Sequence, residues 1–534
     1  RINFFIFGKV KIYRMGKIKK LIFVAFFQIV ILNSQNYLDL YEKENWSTPE
    51  SEIDRIVFSY LKKLNIKPGN PCSDEVFIRR IYLDTIGMLP EPEEVINFLN
   101  DKNPEKRKVL IDNLLERKEF AEYWSMKWCD ILRVKSEFPN NLWPNAVQAY
   151  HKWIIDSLKE NKPYDKFASQ LLTSSGSNFR DPPVNFYRAV GTRDPYSIAS
   201  AVCLTFMGIR FEKLPEDVKE NLSKFFSRIS YKKTLEWKEE IVYFKPDYDK
   251  PIDAIFPDGK KIKIPPDKDP RIVFAEWLIN PENPYFSKNI VNRIWSWIFG
   301  RGIIHEPDDI RPDNPPVIPE LLSYLEKQLI KSNYDLKHIY KIIFNSRVYQ
   351  QSFIPQTTNP DAEKYFAFYP PRRLEAEVLL DIICKISGSG IEYVSQIPEP
   401  YTFIPKSRRN VLLGDGSITG DFLDLFGRPP RDIGYESERN NKINDAQIRY
   451  LLNSSELFKK IQSSSYIRNI LNETRWDKRK TIEKIYLSML SRYPSEEEIK
   501  IAENYFKKDT INFNQAVEDI VWAIINSKEF LYRH

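Results

Sequence analysis

The densest group of side chains able to do chemistry runs from Phe426 to Asn441. It contains Arg428, Arg431 and Arg439, the acids Asp432, Glu436 and Glu438, Tyr435 and the paired amides Asn440 and Asn441. Guanidinium forks match the paired oxygens of carboxylate, sulfate and phosphate, so these residues could bind an anionic or sugar ligand. The same composition suits an internal hub of ion pairs bracing a long loop between helices. Asp432, Glu436 and Glu438 could also supply the acid and base of glycoside cleavage, which requires two carboxyl groups roughly 5–9.5 Å apart. A second candidate runs from His305 through Glu306, Asp308, Asp309, Arg311 and Asp313 to Asn314. Its oxygens and single imidazole could hold a divalent ion, but its prolines fit a hydrogen-bonded connector equally well, and no metal or cofactor is expected.

Other groups read as structural. His338 falls within the helical run 334–344 and is expected to pack half-buried, while His151 and His534 have no evident partner. The loop Gly414-Asp415-Gly416-Ser417-Ile418-Thr419-Gly420 lacks the spacing and the preceding strand of a dinucleotide fingerprint. There is no nucleophile elbow, phosphate loop, zinc-protease helix or kinase signature. Trp124, Trp128, Trp295 and Trp297 lie within helical runs and are expected in the core. Cys72, Cys129, Cys203 and Cys384 form no C-x-x-C pair and are expected to be free thiols, with Cys203 and Cys384 in apolar runs.

These residues must be positioned by a mainly α chain. With 534 residues, 42% hydrophobic and 29% charged, the sequence is globular and long enough for two large units. Thr48-Pro49-Glu50 has the order of a helix start: cap residue, proline, then acid. Helical periodicity runs from there, with loops near 139–144 and 173–183, to about Gly208. Between 237 and 266 the pattern changes: Glu240–Phe244 reads as a strand, and 254–264 as a hairpin about Pro257-Asp258-Gly259. This predicts two helical domains, 37–236 and 267–534, joined by a small β-hairpin insertion.

The first 35 residues carry seven Lys and Arg and no acid; the other 73 basic residues match the 73 acidic ones. The body therefore lacks the cationic surplus of a nucleic-acid binder. Met15-Gly16-Lys17-Ile18-Lys19-Lys20, then Leu21–Leu32, apolar except for Gln28, and the polar Asn33-Ser34-Gln35, read as a signal peptide over 15–35, with 1–14 as upstream translation. Twelve helical residues rise about 18 Å, short of a hydrocarbon core of about 30 Å, so no stable span is expected. The mature protein is expected in the periplasm or at the cell surface.

An internal repeat shows when the ends are compared. Ile81-Tyr82-Leu83, Pro90, Glu93-Glu94 and Lys118-Glu119-Phe120 are echoed by Ile485-Tyr486-Leu487, Pro494, Glu497-Glu498 and Lys528-Glu529-Phe530. Each reads as helix, proline turn and acid-led helix, and Ser495 with Glu498 forms a capping box. Asn345-Ser346-Arg347-Val348-Tyr349 echoes the closing segment as a partial third copy.

Phe77-Ile78-Arg79-Arg80-Ile81-Tyr82-Leu83-Asp84, with Gly87 and Leu89-Pro90, resembles the hallmark of a planctomycete cytochrome-associated domain, domain-of-unknown-function family 1549. Val291-Asn292-Arg293-Ile294-Trp295, Arg311-Pro312-Asp313-Asn314-Pro315-Pro316 and Phe426-Gly427-Arg428-Pro429-Pro430-Arg431 resemble its companion, family 1553. The resemblance implies export, a secreted phosphatase-like partner protein and, in some relatives, fusion to cytochrome c modules; it implies no settled reaction. Where many relatives carry a C-x-x-C-H-type cluster, Phe206-Met207-Gly208-Ile209-Arg210-Phe211-Glu212 has neither Cys nor His, which excludes covalent haem attachment at that position. The expectation is an exported envelope protein that binds an anionic glycan or polysaccharide, or the secreted partner. The alternatives are a polysaccharide-acting enzyme and an accessory to a haem-bearing electron-transfer protein.

Overall fold

The computed structural model describes residues 39–246, 250–397, 402–507 and 511–534; the leader and the segment before it lie outside the described residues. Helices carry most of the ordered backbone, and the strands form four small sheets among the described residues. The helices that frame the core are α1 (Glu52–Lys63), α2 (Asp74–Ile86), α3 (Pro92–Asn100), α4 (Lys106–Glu116), α5 (Lys118–Ile131), α6 (Pro144–Lys159), α7 (Phe286–Phe299), α8 (Pro319–Lys331), α9 (Leu336–Phe344), α10 (Ala376–Ser387), α11 (Lys478–Leu490) and α12 (Glu496–Phe506). No described helix is long and apolar enough to cross a membrane.

The first helix starts later than Thr48. Ser51 is its cap, in a reciprocal box with Asp54, because Thr48 is engaged elsewhere: its carbonyl accepts from Arg347 Nε and its hydroxyl meets Gln350. Helix α2 is buried on nearly every face, including Arg79, Arg80 and Asp84, as expected of a helix surrounded by others. Gly87 ends it at φ +61; a Cβ there would sit 2.5 Å from the Tyr123 ring, so both the backbone conformation and the close approach call for glycine.

Strand β1 (Gly176–Ser177) and strand β2 (Ile229–Lys233) flank β3 (Glu240–Phe244) in an antiparallel sheet. The first two lie in segments whose sequence reads as loop or helix. The hairpin of β4 (Ile252–Ile255) and β5 (Lys261–Ile264) turns at Gly259, φ +87, and packs Phe256 against Phe225 and Trp277.

One hydrophobic cluster runs from Ile53 to Leu531. Helix α8 packs on α1, α9 on α4 and α11 on α3, so helices from the two ends of the chain interleave. The β segment at 237–266 marks a change of sequence pattern without dividing the core. Trp124, Trp128, Trp295 and Trp297 are all buried at its centre, with Trp124 and Trp297 rings 5.6 Å apart. All four cysteines are free; three are buried and Cys384 is half-buried.

Candidate functional site

The loop 426–441 closes over two helices, and its guanidinium groups point into the molecule. Arg439 donates to both carboxylate oxygens of Glu377, at 2.7 and 3.0 Å, and to Asp130 Oδ2 at 2.8 and 2.9 Å. Arg431 reaches the other oxygen of Asp130 at 2.8 Å and the carbonyls of Leu413 and Gly414 at 2.9 and 2.5 Å. Arg428 donates to the carbonyls of Leu413, Asp415 and Ile418 and lies 3.4 Å from Glu377. Burial alone would lift the Glu377 carboxyl, but Arg439 and Arg428 hold it down at about 2.

Asp130 comes from α5 and Glu377 from the first turn of α10, so two rigid elements anchor the loop. Both anchors are absent from the constellation read in the sequence. The only local sign of Glu377 is a carboxylate inside an apolar helical run, which must find a partner once buried.

The acids of the loop are also engaged. Glu438 accepts from the backbone N–H groups of Asp432, Ile433 and Gly434 at 3.1, 3.2 and 2.7 Å. Burial pushes its carboxyl up while those three donors pull it down. Glu436 accepts from Trp297 Nε1 at 3.0 Å, and Asp432 pairs with Lys135 at 2.5 Å. Arg428, Arg431, Glu438 and Arg439 thus all have partners within the chain. A guanidinium with its N–H groups on carbonyls, on buried Glu377 and on half-buried Asp130 is already engaged, and opening such a pair would strand a buried charge.

The second candidate meets the first. Glu436 N–H donates to Asp308 Oδ2 at 2.7 Å, and Asp308 pairs with Arg293 at 2.8 Å. Asp309 pairs with Lys213 at 2.8 Å and Arg311 at 3.2 Å, while Arg311 also holds Asp313. Half-buried His305 lies 3.3 Å from Glu306. Carboxylates so occupied by the chain's own cations do not form a cation cradle, and no group of three or more His, Cys, Asp or Glu suited to a metal occurs among the described residues. The segment 208–212 joins the same junction: Tyr435 donates to Glu212 at 3.1 Å, Arg210 lies over the Tyr435 ring, and Ile310 N–H donates to Gly208 O.

His151 and His534, read as partnerless, both have partners. His151 Nε2 lies 3.4 Å from Ser125 Oγ, and burial, with Arg408 and Arg431 nearby, pushes its pKa down to about 3. His534 packs edge-on against Tyr41 and Phe353.

One open feature borders the braced loop. A groove of about 370 Å3 is lined by Lys135, Glu137, Phe138, Ser417, Thr419 and Asp424, with Pro429, Pro430 and the edge of Arg428. Phe138 is 80% exposed at its mouth. Ser417 Oγ accepts from Glu137 N–H at 3.1 Å, which ties the two walls together, and within the second wall Thr419 donates to Asp424 at 2.6 Å. The sequence gives these residues no distinguishing spacing; the groove exists because 135–138 and 416–430 are brought together by the Asp130 anchor and the Lys135–Asp432 pair.

Fold and site together describe a mainly α protein whose longest loops are stitched to its core by buried arginines. Residues 52–206 match the family PSCyt2, described as a protein of unknown function (DUF1549), and residues 270–506 match PSD1, described as a protein of unknown function (DUF1553). The chain thus carries matches to both families, in this order. No curated protein and no solved structure matches it.

Proposed function

We propose that the protein is an exported binding protein of the cell envelope, and that its ligand surface is the groove beside the 428–439 loop. The observation that carries this reading is the groove's lining: an exposed aromatic ring, Phe138, beside the hydroxyls of Ser417 and Thr419 and the carboxylates of Glu137 and Asp424. Aromatic faces pack on sugar rings, while carboxylates and hydroxyls accept and donate to sugar hydroxyls. Lys135 is already neutralised by Asp432. With two acids in the walls, the groove favours a hydroxyl-rich neutral glycan over the sulfated or carboxylated chain that the arginines alone suggest. Export rests on the basic and apolar leader of residues 15–35.

Affinity electrophoresis through gels containing a neutral polysaccharide or its sulfated counterpart tests this. The neutral polymer should retard the protein, and Phe138→Ala should abolish the retardation while leaving the thermal melt unchanged. Retardation by the sulfated polymer alone, or an undiminished Phe138→Ala variant, would overturn it. No reducing ends should appear during binding. Release that is lost in Glu436→Gln or Glu438→Gln would instead establish the enzyme.

A further inference from the structure

The turn between β2 and β3 lies outside the groove and outside both matched families. Leu235 at its apex is completely exposed and Trp237 is 67% exposed. The turn is firmly built. Glu239 is buried and accepts from Ser177 and Thr234 side chains at 2.6 and 2.8 Å, and Asn178 donates to Lys238 O at 3.1 Å. Trp237 rests against Trp143, ring centroids 6.4 Å apart. Trp143 itself holds φ 76° and ψ 147°, a region nearly confined to glycine, so the chain sustains backbone strain beneath this apex.

We infer that this turn is a membrane-surface anchor that seats Leu235 and Trp237 in the interface of an anionic lipid layer. Around the two apolar residues stand Lys232, Lys233, Lys238 and Arg180, all exposed, against the exposed acids Glu236, 3.9 Å from Arg180, and Asp181, which accepts from Ser177 N–H at 2.9 Å; Glu240 is taken by Arg188 and Arg193. A Leu and a Trp ringed by cations fits the headgroup level, where indoles partition and lysines reach outward to phosphates. A glycan platform fits less well, because Lys238 already lies 4.0 Å over the Trp143 ring and 5.0 Å over Trp237, and Leu235 has nothing to offer a sugar. A stable protein interface buries about 800 Å2 per partner, far more apolar surface than two side chains supply.

The test is co-sedimentation of the chain from Asn36 onward, which holds every residue of the hydrophobic cluster. Vesicles of phosphatidylcholine mixed with phosphatidylglycerol should carry the protein down, and vesicles of phosphatidylcholine alone should not. Leu235→Ala with Trp237→Ala should weaken binding about tenfold or more. Lys232→Glu with Lys233→Glu should remove the preference for the anionic lipid. Both variants alter exposed positions, and an unchanged circular-dichroism melt verifies their folding. Failure of the parent chain to sediment, or equal sedimentation by the Leu235/Trp237 variant, would overturn the inference and leave the apex to a protein partner.

Discussion

Glu377 carries the balance of the braced loop, since Arg428 and Arg439 both face its buried carboxylate. Glu377→Gln leaves those guanidinium groups short of a counter-charge, and breaking a buried pair in this way costs about 3–5 kcal/mol. The folded carboxyl titrates at about 2, below its unfolded value of about 4.3. Its stabilising effect is therefore complete above the unfolded value and disappears as pH falls through that window toward 2. Urea unfolding should show a large gap between parent and variant at pH 7 that narrows steadily by pH 3. Gly414 is held for a different reason: a Cβ would stand 2.4 Å from the His151 ring. Gly414→Ala should cost about 1–3 kcal/mol by overpacking, read as a lower melting temperature. The chemical types at 428–439 were legible in the sequence, and so was the choice between binding and bracing. What decides that choice was not: Asp130 lies 301 residues from Arg431, and Glu377 lies 62 from Arg439. Pairing across such separations has no local spacing, so only the fold reveals that the arginines are already spent.

At the scale of elements, two helix pairs are clamped by the same chemistry in different degrees of burial. Beside α2 and α3, Arg117 meets Glu94 and Glu119, each at 3.2 Å, and lies over the Tyr82 ring. Beside α11 and α12, Arg492 meets Glu498 at 2.8 Å and Glu529 at 2.6 Å and lies over Tyr486. The Arg117 side chain is 32% exposed and that of Arg492 4%. Solvent weakens the first clamp, so Arg117→Met should cost no more than about 1 kcal/mol. Arg492→Met strands two mostly buried carboxylates and should cost about 3–5 kcal/mol. Denaturant midpoints of the two variants compare these directly; equal losses would show that burial does not set the clamps' strength. Local signals served well where the interaction is local: the Ser495–Glu498 capping box stands as its spacing indicates, and so does the turn at Gly259. They misplaced the first helix start, where Thr48 has the right type but spends its polar groups on Arg347 and Gln350 from the far half. They missed β2, whose stretch Ile229-Ser230-Tyr231 is half-buried throughout and lacks a clean alternation.

For the whole molecule, chain length and the change of pattern near 237–266 favour two domains, yet the polar interior ties the ends together. Arg80 of α2 donates to the carbonyls of Tyr349, Gln351 and His534 at 2.6, 2.8 and 2.9 Å, with its guanidinium 3.7 Å over the Tyr369 ring. Asp84, one turn on, accepts from the hydroxyls of Tyr349 and Tyr369 and pairs with Arg372 and Arg533. Arg79 caps the carbonyls of Met489, Glu529 and Phe530. A fragment ending at Glu236 would keep these two arginines and the carboxylate buried or half-buried with every one of those partners removed, and the faces of α1, α3 and α4 that meet α8, α11 and α9 would lie open. Unpaired interior charge and exposed apolar surface both oppose folding, at several kcal/mol for each stranded ion, against a total stability of only about 5–15 kcal/mol for a typical domain. Residues 39–236 and 267–534 produced separately should therefore show no cooperative melt and no near-ultraviolet dichroism. The intact chain should unfold in a single calorimetric transition. Two separate sharp transitions in the intact chain, or a sharp transition from either fragment alone, would show that the arginines of α2 join two independently stable bodies instead of completing one.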